Sequence, residues 1–199
     1  MLTKTQEKIL CFLVGNLDAK LTIRGLARRL KLSYPLIYNN LINLEKQGII
    51  RKQSIPPAQV IGLHESVPMD ILVEVEVKRR VEFLHKHGWI KVLLNDVLDN
   101  TQNIFFILLL FGSYAKGKET PKSDIDLLFI VQNKEDINMM ESALKRAYTK
   151  VKKNSVICDI ADFKEMIINP DKLTVGNEAR KNHIVLYGIE EYYQLIKRA

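Results

Sequence analysis

Residues 111–130 read FGSYAKGKETPKSDIDLLFI. Eight apolar residues, Ile104 to Phe111, run up to a Gly-Ser pair. A basic, polar loop follows, and it leads into Asp124-Ile125-Asp126 at the head of a second apolar run. An apolar run of eight that stops at glycine predicts a buried strand. Gly112 lets the backbone turn and come close to a ligand. Ser113 stands where a short helix is expected to begin, with amides free to face an anion. Lys116 and Lys118 flank the loop and suit phosphate oxygens, although a merely solvated basic loop reads the same way. Residues two apart on a strand share a face. The pattern therefore points the carboxylates of Asp124 and Asp126 to one side and Ile125 into the core. Two neighbouring carboxylates repel, and they remain anionic together chiefly when they share a divalent cation. The plainer alternative is an acid-capped turn beginning at Ser123-Asp124.

The rest of the chain bounds that reading. The sequence has 199 residues, 47% hydrophobic and 27% charged, which fits one large or two small globular domains. The longest apolar run is far short of the ~20 residues that span a bilayer, and MLTKTQEKIL lacks a leader pattern. Cys11 and Cys158 sit among apolar residues and read as buried thiols. A cytoplasmic protein with no membrane partner is the expectation. The net charge of +7 is uneven. Residues 1–64 hold ten Lys/Arg against Glu7, Asp18 and Glu45, and the remainder is balanced. The basic excess suggests a polyanion-binding module joined to a neutral one.

In the first third, Ile9, Leu10 and Leu13 mark one helix, which ends at Gly15-Asn16. Thr22 is the expected N-cap of a second helix carrying Ile23, Leu26, Ala27 and Leu30 on one stripe. A short turn at Lys31-Leu32 leads to Ser33, the expected cap of a third helix. Pro35 lies in its first turn, Ile37, Leu41 and Leu44 form its inner face, and Gly48 stops it. Residues 49–52, a Pro-Pro turn and residues 60–63 read as a hairpin. Residues 65–89 read as a connecting helix, with a further helix from Trp89 to Leu98. His64, His85, His87 and His183 have no ligand-like spacing.

LTIRGLARRLKLSYPLIYNNLINLEKQGIIRKQ, residues 21–53, resembles the winged helix-turn-helix family. That resemblance implies a third helix in the DNA major groove and a hairpin tip on the backbone. The outer face of the helix holds Leu36, Asn39, Asn43 and Lys46. Asn39 and Asn43 suit adenine edges, Arg28, Arg29, Arg51 and Lys52 suit phosphates, and Ser33 and Lys46 complete the expected DNA-binding set. A protein-contact module is the alternative, and dimerisation is expected by analogy with such modules.

Gly112-Ser113, ten residues, then Asp124-x-Asp126 resembles the DNA polymerase beta-like nucleotidyltransferase superfamily, most closely its minimal (MNT) group. That group includes antitoxins of HEPN/MNT toxin pairs. The spacing is not that of a Walker A loop. The resemblance covers roughly residues 90–190. It implies triphosphate contacts at Gly112 and Ser113, Mg²⁺ on Asp124 and Asp126, and a third carboxylate on a later strand. Asp159, inside SVICDIAD, is the expected third catalytic and metal-binding acid, with Asp162 in reserve. Otherwise Asp159 marks an exposed strand edge. The expected fold class is α+β: an N-terminal winged helix-turn-helix (1–64), a helical connector (65–89) and an α/β nucleotidyltransferase domain with a small mixed sheet (90–199). The expected cofactors are two Mg²⁺ ions with an NTP, ATP first, as substrate.

Three functional readings follow. The first is a DNA-bound transferase of nucleoside monophosphate to a protein or RNA hydroxyl, antitoxin-like, with a HEPN-type toxin as a cognate partner. The second is a transcription regulator with a silent, nucleotide-sensing domain. The third is a scaffold. Tyr187, Tyr192 and Tyr193, in an expected helix–strand–helix at the C-terminal end, read as core.

Overall fold

The computed structural model describes residues 2–17, 21–56, 58–101 and 104–197. Asp18 and Lys20 of the charge count, and Pro57 of the Pro-Pro turn, lie outside the described residues. The chain divides into two units, Met1–Glu76 and Val77–Ala199.

The first unit contains α1 (Lys4–Val14), β1 (Leu21–Thr22), α2 (Ile23–Leu30), α3 (Tyr34–Lys46), β2 (Ile50–Ile55) and β3 (Ala58–Leu63). Thr3 and Gln6 close a capping box on α1. Thr22 caps α2 by accepting from the Gly25 amide at 3.1 Å. The turn between α2 and α3 is held by Lys31 in the left-handed region, φ 54°. Ser33 occupies the N-cap position of α3 but makes no side-chain cap bond. Gly48, at φ 68°, turns the chain out of α3. β2 and β3 pair antiparallel from Ile50↔Leu63 to Ile55↔Ala58, so the hairpin is longer than the sequence pattern implied. β1 adds a third strand on β3, a pairing that two residues of sequence do not announce. The apolar stripes meet in one core, with Leu10, Leu26, Ile37, Leu41 and Leu44 at 0% exposure. Each such side chain contributes roughly 1.5–3 kcal/mol by leaving water. Three helices closed by a β-hairpin give the winged helix-turn-helix plan.

Helix α4 (Met69–Lys86) spans the division between the units, which falls after Glu76. Phe83 of α4 lies in the core of the second unit, and Leu84 packs against it. That unit continues with α5 (Gly88–Asn100), β4 (Phe106–Phe111), α6 (Gly112–Ala115), β5 (Ile125–Val131), α7 (Glu135–Arg146), β6 (Lys153–Asp159), α8 (Ile160–Ile167), α9 (Val175–Lys181), β7 (Ile184–Tyr187) and α10 (Ile189–Lys197). The sheet order is β6-β5-β4-β7. β5 is antiparallel to β4 and parallel to β6, so the sheet is mixed. One face presents Ile125, Leu127, Phe129 and Val131 to Leu93 and Val97 of α5 and Met140 and Leu144 of α7. The expected strand from Ile104 is trimmed: Ile104 and Phe105 precede the ladder, and Phe105 is exposed. Tyr192 and Tyr193 are fully buried, whereas Tyr187 is partly exposed and stacks on Phe106 at 4.6 Å.

Candidate functional site

The end of β4 and the start of β5 pair Phe111 with Asp126. The next residue, Gly112, has φ 70°, a conformation open to glycine and strained for other residues. A Cβ built there would lie 1.9 Å from Oδ2 of Asp126. The backbone therefore touches the carboxylate directly, and no side chain can stand between them. The Asn154 amide of β6 donates to Oδ1 of Asp126 at 2.9 Å. An ionised carboxylate only accepts, so the NH₂ end of Asn154 must face it. Asp126 is thereby fixed on both oxygens, one by a hydrogen bond and one by contact with glycine.

Ile125 is fully buried, and Asp124 and Asp126 on either side of it are half-exposed. This is the alternation that places both acids on the sheet face away from α5 and α7. Asp124 precedes the ladder, and Lys152 Nζ lies 3.6 Å from its Oδ2. Both side chains of that pair are largely in solvent, so it is worth only ~0–1 kcal/mol and yields readily to a stronger partner. Helix α6 is a single turn of four residues. Ser113 is half-buried, its carbonyl accepts from the Lys118 amide at 3.0 Å, and Lys116 and Lys118 are exposed. His87 lies 3.4 Å from Glu119, which ties this loop to the start of α5. Tyr114 packs edge-on to His87 and Trp89, and burial, then Glu119, raises its pKa.

Asp159 is not at this site. β6 runs parallel to β5 with Asp126 opposite Asn154 and Val131 opposite Asp159. Five residues of strand put Asp159 roughly 16 Å further along, and the odd offset turns it to the other face. Asp159 is 6% exposed, and its carboxylate caps α8, accepting from the Asp162 amide at 2.7 Å. A buried acid among apolar neighbours thus has a structural partner, a helix N-terminus. Asp162, the reserve, sits 3.6 Å from Lys134. Among the described residues no three His, Cys, Asp or Glu side chains cluster to hold a metal. The two carboxylates at 124 and 126, with the glycine cradle beside one of them, fit a single hard cation with oxygen ligands.

Sequence reasoning missed Lys152 and Asn154. The signal lay in the alternation of Lys152, Asn154, Val156 and Cys158, which share a face on β6. Burial pushes the Cys158 thiol up to about 12, with Asp162 and Asp159 adding to it. Lys153 points the other way and donates to the carbonyls of Leu144 and Ala147, and burial lowers its pKa. It closes the end of α7.

The second candidate surface is α3. Leu36, Asn39, Asn43 and Lys46 are exposed, opposite the buried Ile37, Leu41 and Leu44. Tyr34 and Tyr38 stack at 5.9 Å on the exposed side. Arg51 is paired with Glu65, and Lys52 with Glu45 at 2.6 Å. Lys52 also lies 5.7 Å from the centroid of the Tyr38 ring. Both wing cations therefore already have anionic partners. Arg24, Arg28 and Arg29 of α2 are exposed and form no ion pair among the described residues. No helix among the described residues is long and apolar enough to cross a membrane.

Residues 93–191 match the family model described as "Polymerase beta, Nucleotidyltransferase". The second unit thus carries a nucleotidyltransferase domain of that family. No curated protein matches the sequence. Among solved structures, reduced HlyU from Vibrio cholerae N16961 is similar at 23% identity over 40% of this chain and 77% of its own, with a TM-score of 0.34. The S. aureus MepR–DNA complex is similar at 22% identity over 49% of this chain and 79% of its own, with a TM-score of 0.35. The winged helix-turn-helix plan of the first unit rests on its own element order and strand pairing.

Proposed function

We propose that the protein is a DNA-binding regulator whose second unit binds a nucleoside triphosphate together with a divalent cation. The observation that carries this reading is the contact between the Gly112 backbone and the Asp126 carboxylate. It builds a turn that accepts phosphate oxygens directly beside an anion that needs a cation. Asp124 and Asp126 would hold Mg²⁺, which supplies charge neutralisation for the triphosphate when bound. Gly112 and Ser113 line the turn where the phosphates rest. Lys116 and Lys118 offer their ammonium groups to the terminal phosphates, and Lys152 exchanges Asp124 for a phosphate oxygen. ATP is the first nucleotide to test.

The first unit takes the protein to double-stranded DNA. Asn39 and Asn43, one turn apart on the exposed face of α3, suit adenine edges. Arg24, Arg28, Arg29 and Lys46 neutralise phosphates, which gives affinity without sequence information. Arg51 and Lys52 join them by releasing Glu65 and Glu45. The hairpin from Gln53 to Gln59 contains no charged residue, so its tip adds no phosphate neutralisation.

A second reading is nucleotidyl transfer to a hydroxyl of a protein or RNA acceptor, a toxin partner included. Retention of both Asp124 and Asp126 favours it. Calorimetry with Mg²⁺–ATP tests the first reading: the wild type binds, and Asp126→Asn does not. Absence of binding by the wild type at millimolar nucleotide would refute it. Incubation with α-labelled ATP and cell lysate separates the two, because only transfer leaves label on a macromolecule.

A further inference from the structure

We infer that Asn154 restricts the nucleotide site to one divalent cation and deprives it of a base, so that the domain holds its nucleotide rather than turning it over. This rests on the nucleotide-binding reading above and concerns the same site. The resemblance to nucleotidyltransferases calls for a third carboxylate on a strand after the Asp-x-Asp pair. In this chain the strand is β6, and its register fixes which residues can serve. Paired residues of adjacent strands share a face, so the position beside Asp126 is Asn154, and Lys152 stands beside Asp124. Neither is an acid. The acids that the sequence does offer, Asp159 and Asp162, are spent on the N-terminus of α8 and on Lys134.

The chemistry follows from the functional group. A carboxylate at this place could bridge a second cation and accept a proton. A neutral amide does neither: its nitrogen holds no lone pair for a proton at ordinary pH, and that nitrogen already donates to Oδ1 of Asp126. The bond also occupies one lone pair of Oδ1 of Asp126. What remains is two carboxylates, enough for one hard cation and its nucleotide. In-line transfer needs an acceptor O–H to lose its proton as the new bond to the α-phosphorus forms and the bond to pyrophosphate breaks. Among the described residues, β6 offers no carboxylate beside Asp126 to take that proton. Asn154 is exposed, so the position is open to solvent and to an acceptor, and substitution there meets no packed core.

The test uses the full chain as wild type, Asn154→Asp and Asn154→Ala. Mn²⁺ titrations followed by electron paramagnetic resonance, with saturating non-hydrolysable ATP analogue, count bound ions. Wild type and Asn154→Ala are expected to hold one Mn²⁺, and Asn154→Asp two. Without nucleotide, Asn154→Asp sets two carboxylates against each other, so Mn²⁺ alone is expected to raise its Tm more than that of the wild type. Hydrolysis of ATP to AMP and pyrophosphate, with water as acceptor, is expected at background for the wild type and at least tenfold faster for Asn154→Asp. Two Mn²⁺ per wild-type chain, or wild-type pyrophosphate release that Asn154→Asp does not increase, would overturn the inference and leave nucleotide binding standing. Failure of all three proteins to bind the analogue would overturn both. The Asn154→Ala protein controls for folding, since it loses the hydrogen bond without gaining charge.

Discussion

The outer face of α3 and the turn at Gly112 are both candidate functional surfaces, and they are built on opposite principles. On α3 the candidate contacts are exposed side chains one helical turn apart, each independent of the next. The helix beneath is held by Ile37, Leu41 and Leu44 whatever stands outside. At Gly112 the proposed contact is made by the backbone. One added carbon atom would meet a carboxylate oxygen at 1.9 Å. The first surface degrades in steps, and the second fails at once. On the proposed reading, DNA affinity can therefore be tuned by substitution, whereas the turn at Gly112 admits one residue type.

Substitution of Gly112 by alanine breaks that comparison most sharply. The positive φ costs roughly 1–2 kcal/mol in a non-glycine residue, and the clash displaces Asp126 as well. The expected result by calorimetry is a loss of Mg²⁺–ATP affinity of about 100-fold or more, equivalent to ~2.8 kcal/mol. DNA binding should be untouched. Retained nucleotide affinity would mean that the turn is not the phosphate site.

On the helix, Asn39→Ala and Asn43→Ala should each weaken specific DNA binding by ~1–3 kcal/mol, with relaxed preference at one base pair. Fluorescence anisotropy against a selected site measures both. Effects identical on specific and random DNA would show that these residues do not read bases. A comparable but structural loss is expected for Lys153→Ala. It leaves two carbonyls at the end of α7 without their ammonium donor, at ~1–3 kcal/mol of stability by urea unfolding.

Cys158 gives a pH dependence with a definite sign. Its pKa is about 12 in the folded protein, against an ordinary value of 9.0. Above pH 9 the unfolded chain ionises and the folded one does not, so stability falls as pH rises from about 9 towards 12. At pH 10 the loss is about 1 kcal/mol relative to pH 8, and Cys158→Ala should abolish that slope. An unchanged slope in the variant would assign the loss to other groups. The smallest effect is expected for Glu45→Gln. Releasing Lys52 from an exposed pair should raise DNA affinity by under ~1 kcal/mol, most visibly at low salt.

The same contrast explains what the sequence disclosed. The stripes of α1, α2 and α3, the Thr22 cap and the Gly48 stop depend on neighbours three or four residues away, and they are legible one helix at a time. So was the meeting of Gly112 with the Asp124-Ile125-Asp126 strand, because an apolar run, a glycine and a short loop imply a hairpin. β6 was different. Its partner lies 28 residues away, as the Asn154–Asp126 bond records, and a shift of register there exchanges one functional group for another. Asp159 drew attention as an acid in an apolar run, a feature that a catalytic carboxylate and a buried helix cap share. Only the strand pairing tells them apart. Helices α7 and α8 were likewise not anticipated, and β1 acquires its role only through β3.

The most direct test of the central claim is a crystal structure of the protein with Mn²⁺ and a non-hydrolysable ATP analogue, phased for anomalous scattering. The account predicts phosphate density against Gly112 and Ser113, and an anomalous peak in contact with both Asp124 and Asp126. Nucleotide bound elsewhere, for instance in the cavity lined by Phe105, Ile107, Ile160 and Lys164, with no ion on Asp126, would contradict it.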